Sequence, residues 1–162
     1  MRHAPSAERN KEPIANTLGK YRPFAVGGER PACCLEIASG TGQHVSHLAS
    51  TYPHVVFQPT EFAGGSSGPE DAAYGSLLPV FSSIVAHAGG MANVLPPIEL
   101  DAAASVWSVE EKEATRGPWD GIFVCNMCHI SPFRVTEGLL SGAGRTLSPD
   151  GGKLFIYGPF MV

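Results

Sequence analysis

The sequence predicts an α/β fold in which a doubly wound, mostly parallel sheet carries helices on both faces. Strand-like and helix-like segments alternate along the chain, which is typical of such sheets. The strand-like segments are continuous apolar runs, as expected for strands that are covered on both faces. A glycine-rich turn, Gly40-Thr41-Gly42, follows the first strand, and ligands of these sheets bind beyond the carboxyl ends of the strands.

The composition fits a single domain over residues 1–162. Hydrophobic residues make up 43% of the chain and charged residues 16%, as in globular proteins. The net charge of -4 argues against a nucleic-acid partner, which normally needs a basic face. The sequence has no apolar run of about 18 residues and no signal-peptide core at its start, so we expect no membrane contact and a cytoplasmic location.

The first predicted element is an N-terminal helix. Ser6 is predicted to cap it, and Glu8 then stands in the first turn, where a negative charge is favourable. Ile14, Leu18 and Tyr21 then recur at helical spacing.

Five strands and three longer helices complete the prediction. The predicted strands are 32–38, 54–59, a short strand within 96–101, 120–127 and 153–159. The predicted helices are 43–51, 72–88 and 133–147. Pro79 either kinks the second of these helices or marks its start. Interior glycines in the third helix are expected to permit close packing, and residues 102–118 indicate a short helix with an insertion.

Three kinds of ligand compete for the glycine turn. A phosphate loop needs a lysine soon after the last glycine, and none follows Gly42. A dinucleotide loop favours a third glycine where this chain has Val45. An adenosylmethionine loop needs an acidic residue within the first strand and small residues at the turn. Glu36, Ala38 and Gly40 supply that pattern together with Gly42, so the third alternative fits best.

Two later carboxylates are compatible with an adenosine ligand. Glu61 follows the second strand, nineteen positions after Gly42, and can accept hydrogen bonds from both ribose hydroxyls. Asp101 ends the third strand and can accept from the amine of adenine, with Leu100 against the ring face. Each is equally compatible with a solvated carboxylate at a strand end, and a nicotinamide dinucleotide also contains ribose.

The cysteines give weak evidence for a metal site. Cys125-x-x-Cys128 has metal-ligand spacing, but one such pair is not specific. Cys125 lies in an apolar run, which favours a buried and inert thiol. We therefore predict no metal.

Several stretches of the chain resemble one small family of class I methyltransferase-like proteins of unknown function, which includes the methyltransferase-like twenty-six type. The resemblance covers about Ser6 to Phe160 and is carried by "AERNKEPI", "LEIASGTGQH", "NVLPPIELD", "HISPF" and "LSPDGGKLFIYGPF". The first and fourth of these stretches are specific to the group, whereas many methyltransferases share the glycine turn.

The resemblance implies a Rossmann-like methyltransferase fold with S-adenosylmethionine as cofactor. Glu36, Gly40 and Gly42, with Ala38 and Ser39 beside them, would then meet the methionine part. Glu61 would hold the ribose, and Asp101 and Leu100 would hold the adenine.

Residues of the N-terminal helix are also predicted to take part in the cofactor site. Arg9 and Asn10 have no evident core role, so they are candidates to close over the cofactor from that helix. Otherwise they belong to its solvated start.

The resemblance also places the methyl group near the end of the fourth strand. Asn126 and His129 would border it. His129 is a candidate general base because its unperturbed pKa is near neutrality, or else it fixes its own loop by hydrogen bonding. The string "NMCH" lacks the Asn/Asp-Pro-Pro-aromatic pattern of enzymes that methylate amino groups of bases. We therefore expect a small or unidentified acceptor.

The chain departs from the family pattern where it stops. The fold normally continues past the fifth strand with a helix and two more strands. An uncovered sheet edge is an association hazard, so self-association through it is predicted. This departure keeps a second function open, a non-catalytic module that binds an adenosyl cofactor or a protein. A nicotinamide-dependent oxidoreductase is a third.

Overall fold

The computed structural model describes residues 2–25, 30–62, 78–111 and 118–159. Its strands are β1 (Ala32–Ile37), β2 (Val55–Glu61), β3 (Ile98–Glu99), β4 (Gly121–Cys125) and β5 (Lys153–Tyr157). They form one sheet in the order β3-β2-β1-β4-β5, and all neighbours are parallel. The predicted α/β class and the parallel sheet are confirmed.

Five helices accompany the strands in the described residues. They are α1 (Pro5–Leu18), α2 (Gln43–Thr51), α3 (Leu78–Ala88), α4 (Ser108–Glu111) and α5 (Phe133–Thr146). The predictions for α2 and α5 are confirmed to within one residue. Pro79 lies in the first turn of α3, where the missing proline N–H costs nothing. The predicted start of that helix at residue 72 lies outside the described residues, as do residues 112–117 of the predicted 102–118 segment.

The predicted cap of α1 is wrong. Ala4 occupies the N-cap without a side-chain hydrogen bond, and Pro5 is the first helical residue. Proline suits that position because its fixed φ is helical and its missing N–H needs no partner. Ser6 therefore lies inside the helix. Tyr21 lies beyond the helix end, where its ring centroid is 6.1 Å from that of Phe155.

The short strand predicted within residues 96–101 is confirmed as β3, which has two residues. β4 and β5 each end two residues before the predicted end, and β1 ends one residue before it. β4 ends at Cys125 because Asn126 adopts a left-handed backbone, with φ of 57°. Asparagine tolerates this conformation better than most residues, and it turns the chain out of the sheet at that point.

Helices cover both faces of the sheet, as the sequence predicts. On one face, α1, α2 and α3 pack against apolar side chains that include Cys34, Phe57 and Phe123. On the other face, α4 and α5 pack against a second set that includes Leu35 and Ile122. Sequence neighbours such as Cys34 and Leu35 belong to opposite faces, as the alternation of side chains along a strand requires.

The glycines of α5 allow close packing, as predicted. A Cβ added at Gly138 would overlap the carbonyl of Ala102, and one added at Gly142 would overlap the indole of Trp107. The fully buried Trp107 therefore sits directly on the helix. This contact anchors the segment after β3 to the face that α5 covers.

The free side of β5 forms one edge of the sheet. Within the described ranges β5 pairs with β4 alone. Beside it, a groove of about 610 Å³ runs between α1 and β5. Self-association through this edge stays a prediction. In the described part of the chain, no helix is long and apolar enough to cross a membrane.

Candidate functional site

The order of the strands places a ligand crevice between β1 and β4. The chain runs outward from β1 through β2 to β3, and then returns to the other side of β1 to form β4 and β5. In open parallel sheets, ligands bind beyond the carboxyl ends of the strands where the order reverses. Here two segments follow those ends, the glycine loop (residues 38–42) after β1 and the turn at 126–129 after β4.

The glycine loop repeats a left-handed backbone at alternate residues. Ala38, Gly40 and Gly42 have φ of 56°, 56° and 87°. This conformation costs an alanine about 1 kcal/mol but costs glycine nothing. The backbone conformation alone therefore explains why the turn has small residues. The sequence pattern could not distinguish this explanation from a requirement for ligand space.

The two glycines of the loop have different surroundings. A Cβ added at Gly42 would lie 2.6 Å from the Cα of Ile84, so α3 can approach only because this residue is glycine. A Cβ added at Gly40 would meet no heavy atom of the described residues within 4 Å. Packing against α3 thus explains the glycine at position 42. Gly40 instead borders open space in the described part of the chain. Contact of either residue with a cofactor stays a prediction.

Hydrogen bonds tie the loop to the end of β2. The N–H of Ser39 donates to the carbonyl of Thr60 at 2.8 Å, and the N–H of Thr60 donates to Ser39 Oγ at 3.2 Å. The Thr60 hydroxyl donates to the carbonyl of Glu36 at 2.8 Å. These contacts hold the loop in one conformation relative to both strands.

Glu36 is the most unusual residue of the site. Its side chain is buried, with 3% exposure, and its Oε2 atom has no hydrogen-bond partner among the described residues. Burial raises its pKa from 4.5 to about 8, hydrogen bonding by Ser39 opposes that rise, and the charge of Glu61 adds to it. Buried carboxyl oxygens almost always have a partner. The orphaned oxygen therefore indicates a ligand that donates a hydrogen bond.

Glu61 lies on the other side of the loop. Its Oε2 accepts the N–H of Gly40 at 2.7 Å, and its Oε1 accepts the N–H of Phe62 at 3.0 Å. Burial raises its pKa, and the two backbone donors oppose that rise. Two carboxyl groups therefore flank the loop, which attracts cationic and hydrogen-bond-donating ligands and disfavours phosphates.

The end of β3 shows a structural use for Asp101. Its Oδ1 accepts the N–H of Ala103 at 2.8 Å, and its carbonyl accepts the N–H of Ala104 at 3.1 Å. Leu100 is buried in the same core cluster as Trp107. Asp101 therefore shapes the turn after β3, and the predicted adenine contacts of Asp101 and Leu100 stay predictions.

The structure brings Asn126 and His129 together beside Gly158, after β4 and β5. A Cβ added at Gly158 would lie 3.3 Å from Nδ1 of His129 and 3.7 Å from Oδ1 of Asn126. His129 is exposed, and its ring makes no hydrogen bond within the described residues. The turn is held instead by Ser131, whose hydroxyl donates to the carbonyl of Met127 at 2.9 Å. Loop fixation by His129 is therefore not observed, while its role as base stays a prediction.

Sequence reasoning missed His44 as a member of the site. Its Nε2 lies 3.8 Å from Sγ of Cys125, and its ring meets the ring of Phe123 edge-on. Burial, with a smaller contribution from His47, lowers the pKa of His44 to about 4. Burial also raises the pKa of Cys125 to about 12. Both groups are therefore neutral at pH 7, and only the position of His44 after the glycine turn pointed to it.

Arg9 and Asn10 are not joined to the glycine loop by a hydrogen bond in the part of the chain that the structure describes. Their neighbour Glu8 accepts instead from Nε2 of Gln43, the residue that follows the loop and begins α2, at 3.2 Å. Closure over the cofactor by Arg9 and Asn10 stays a prediction. Among the described residues, no three His, Cys, Asp or Glu side chains gather to hold a metal ion.

The fold is similar to solved methyltransferases. An O-methyltransferase family protein from Burkholderia thailandensis matches with a TM-score of 0.57 and 19% identity, over 91% of this chain and 37% of that one. The glycopeptide N-methyltransferase MtfA in complex with S-adenosyl-L-methionine matches at 0.57 and 16%, over 88% and 52%. The CurJ carbon methyltransferase matches at 0.59 and 20%, over 93% and 34%. The chain thus spans about a third to a half of these proteins.

These likenesses show the fold, which is the α/β Rossmann-like fold of class I methyltransferases. The resemblance found in the sequence is therefore confirmed for the methyltransferase fold and for membership of a family of unknown function. The sequence model of the family described as "Protein of unknown function (DUF938)" matches residues 1–162, and the chain belongs to that family.

Proposed function

We propose that the chain is an S-adenosylmethionine-dependent methyltransferase domain that acts on an unidentified, small acceptor in the cytoplasm. The observation that carries the proposal is the orphaned Oε2 of the buried Glu36. The cofactor has an ammonium group that can donate to it, together with hydroxyls that suit Glu61. The finer likeness to the methyltransferase-like twenty-six type is part of this proposal.

The residues present fit the cofactor. Open space above Gly40 accommodates its amino-acid part against the backbone. Glu36 would accept from the ammonium group, and Glu61 would accept from the ribose hydroxyls. No lysine or arginine within the described residues hydrogen bonds to either carboxyl group, so both groups are available to the ligand.

When bound, S-adenosylmethionine supplies a methyl group on a sulfonium centre. The chain has to hold the acceptor in line and remove a proton where the acceptor carries one. Asn126 orients the acceptor through its amide, and the exposed imidazole of His129 takes the proton and passes it to water. His44 and Cys125, which lie together at the end of β4, are neutral at pH 7 and would not repel a cationic ligand.

Calorimetric titration with S-adenosylhomocysteine tests the proposal. We expect micromolar binding by the chain and none by Gly40→Val, because the added side chain enters the space above the loop. Gly151→Val is the matched control, since Gly151 also has a positive φ, of 93°, and open space within the described residues, but lies in the turn before β5. Both substitutions cost about 1–2 kcal/mol of backbone strain, so only the loss of binding separates them.

Two results contradict the proposal. Failure of the chain to bind S-adenosylhomocysteine or S-adenosylmethionine at millimolar concentration removes its basis. Undiminished binding by a folded Gly40→Val variant shows that the cofactor does not lie over this loop.

The second candidate is a non-catalytic module that binds an adenosyl cofactor. The orphaned Oε2 of Glu36 and the open space above Gly40 suit binding of the cofactor whether or not methyl transfer follows. Retained cofactor binding without methyl transfer to any offered acceptor would support the module over the enzyme.

A further inference from the structure

The segment before and at the start of α1 is hydrogen bonded to side chains of α2 and α3 that lie next to the glycine loop. The N–H of Ala4 donates to Oε1 of Gln43 at 2.6 Å. The N–H of Arg2 donates to Oγ of Ser83 at 2.9 Å, and Nε2 of His87 lies 2.8 Å from the carbonyl oxygen of Arg2. Residues 2–8, which we name the strap, are thus bonded to both α2 and α3.

Two of the side chains that hold the strap, Gln43 and Ser83, also hold the middle of the loop. The hydroxyl of Thr41 donates to Oε1 of Gln43 at 3.0 Å. The hydroxyl of Ser83 donates to the carbonyl of Thr41 at 2.9 Å. Thr41 stands between the left-handed residues Gly40 and Gly42, so it is fixed from both sides at the point where the backbone turns.

Gln43 is the centre of this network. It is 5% exposed, its Oε1 accepts from both Ala4 and Thr41, and its Nε2 donates to Glu8 at 3.2 Å. A buried amide whose oxygen has two donors and whose nitrogen has an acceptor favours one arrangement of its neighbours, because any other leaves a polar atom unpaired. Helix packing alone needs no such amide, since an apolar residue would serve.

We propose that Gln43 is a positioning residue through which the strap holds the glycine loop in its ligand-ready conformation. The loop is built from residues with unusual freedom, two glycines among five, and it must keep the space above Gly40 open. The strap supplies the constraint that the glycines lack. The consequence for the cofactor rests on the proposed function, whereas the consequence for the loop does not.

Amide hydrogen exchange tests the coupling without any ligand. The N–H of Gly40 donates to Glu61, and the N–H of Gly42 donates to the carbonyl of Ser39 at 3.0 Å, so both report on the loop. In Gln43→Leu we expect these two amides to exchange at least about tenfold faster relative to the core amides of β4. S-Adenosylhomocysteine should also bind about tenfold more weakly or worse.

A control and a rescue separate positioning from packing. Tyr52→Phe removes another hydrogen bond between the α2 end and α1, from the Tyr52 hydroxyl to the carbonyl of Ala15, and should leave the exchange of Gly40 and Gly42 unchanged. The double variant with Gln43→Glu and Glu8→Gln exchanges the amide and the carboxylate. It should restore slow exchange, because residue 43 still offers oxygens to Ala4 and Thr41 and residue 8 now donates.

The outcomes are distinguishable. Exchange in Gln43→Leu like that of the wild-type chain overturns the proposal, as does an equal acceleration in Tyr52→Phe or failure of the swapped pair to restore protection. If Gln43→Leu does not fold, Ser83→Ala removes the other hydrogen bond to Thr41, and the same comparison applies. Absence of S-adenosylhomocysteine binding by the wild-type chain contradicts the proposed function, while the exchange of Gly40 and Gly42 still decides the coupling.

Discussion

Replacing Glu36 by glutamine should remove most of the fall in the free energy of unfolding that Glu36 causes between about pH 5 and pH 8. In the native chain the pKa of Glu36 is about 8 against an ordinary 4.5. Between these values the native state keeps a proton that the unfolded chain has released. Because the unfolded state then binds fewer protons, the free energy of unfolding falls as the pH rises through this window.

The size of the effect follows from the two pKa values. One pKa unit corresponds to about 1.4 kcal/mol, so Glu36 lowers the free energy of unfolding by roughly 3–4 kcal/mol between pH 5 and pH 8. Glu36→Gln keeps the shape and the hydrogen-bonding ability but has no proton to lose. Its stability relative to the wild-type chain should therefore increase with pH by about that amount.

Urea unfolding at pH 5, 6, 7 and 8 measures this difference. Glu137→Gln, an exposed glutamate on α5, is the matched control and should follow the wild-type chain at each pH. The reasoning is refuted if Glu36→Gln and the wild-type chain lose stability in parallel, since Glu36 would then be ionised or solvated in the native state.

Ligand binding should make ionisation of the buried Glu36 favourable. An ammonium group bound at Glu36 stabilises the carboxylate, so binding of S-adenosylhomocysteine near pH 6.5 should release close to one proton per site. The affinity should then rise by up to about tenfold per pH unit below pH 8. Titrations in two buffers with different heats of ionisation count the proton, and Glu36→Gln should bind weakly with no release. An affinity that does not change with pH would place the ammonium elsewhere.

Two further predictions concern the glycine loop. Gly42→Ala should lower the free energy of unfolding by about 2–4 kcal/mol, because its Cβ would meet the backbone of Ile84 and its φ is 87°; stability within 0.5 kcal/mol of wild type in urea would contradict the packing. Ala38→Gly should raise the midpoint of urea unfolding by relief of strain worth up to about 1 kcal/mol; a lower midpoint would mean that the loop relaxes around alanine.

The periodicity of the sequence was sufficient for the sheet and for most helices, because apolar runs and helical spacing act over many residues. It failed where a single residue determines the position at which a helix begins or a strand ends. The start of α1 depends on Pro5 at the first helical position, and a search for polar caps selected Ser6 instead. The end of β4 depends on the left-handed backbone of Asn126, which an apolar run cannot reveal.

For the site, the pattern predicted which residues gather but not what each one does. Glu36 and Glu61 do flank the loop, as their positions at consecutive strands required. Gly42 is explained by its contact with α3 and Gly40 is not, and this difference depends on where α3 lies. The role of Gln43 depends on a strap that is distant in sequence. Contacts between segments about 40 residues apart leave no periodic trace, so they could not be predicted from spacing.

The charges around the loop also bear on which ligand the glycine turn serves. A phosphate or a pyrophosphate carries negative charge into its loop and is favoured by backbone N–H groups that are free to donate. Here the N–H of Gly40 already donates to Glu61 at 2.7 Å, and the carboxyl group of Glu36 lies on the other side. A phosphate would have to displace Glu61 from the N–H of Gly40, and it would offer no donor to the orphaned Oε2 of Glu36. An adenosyl amino acid instead brings an ammonium group and hydroxyls, which are donors, so the electrostatics favour it over a dinucleotide for a reason independent of Val45.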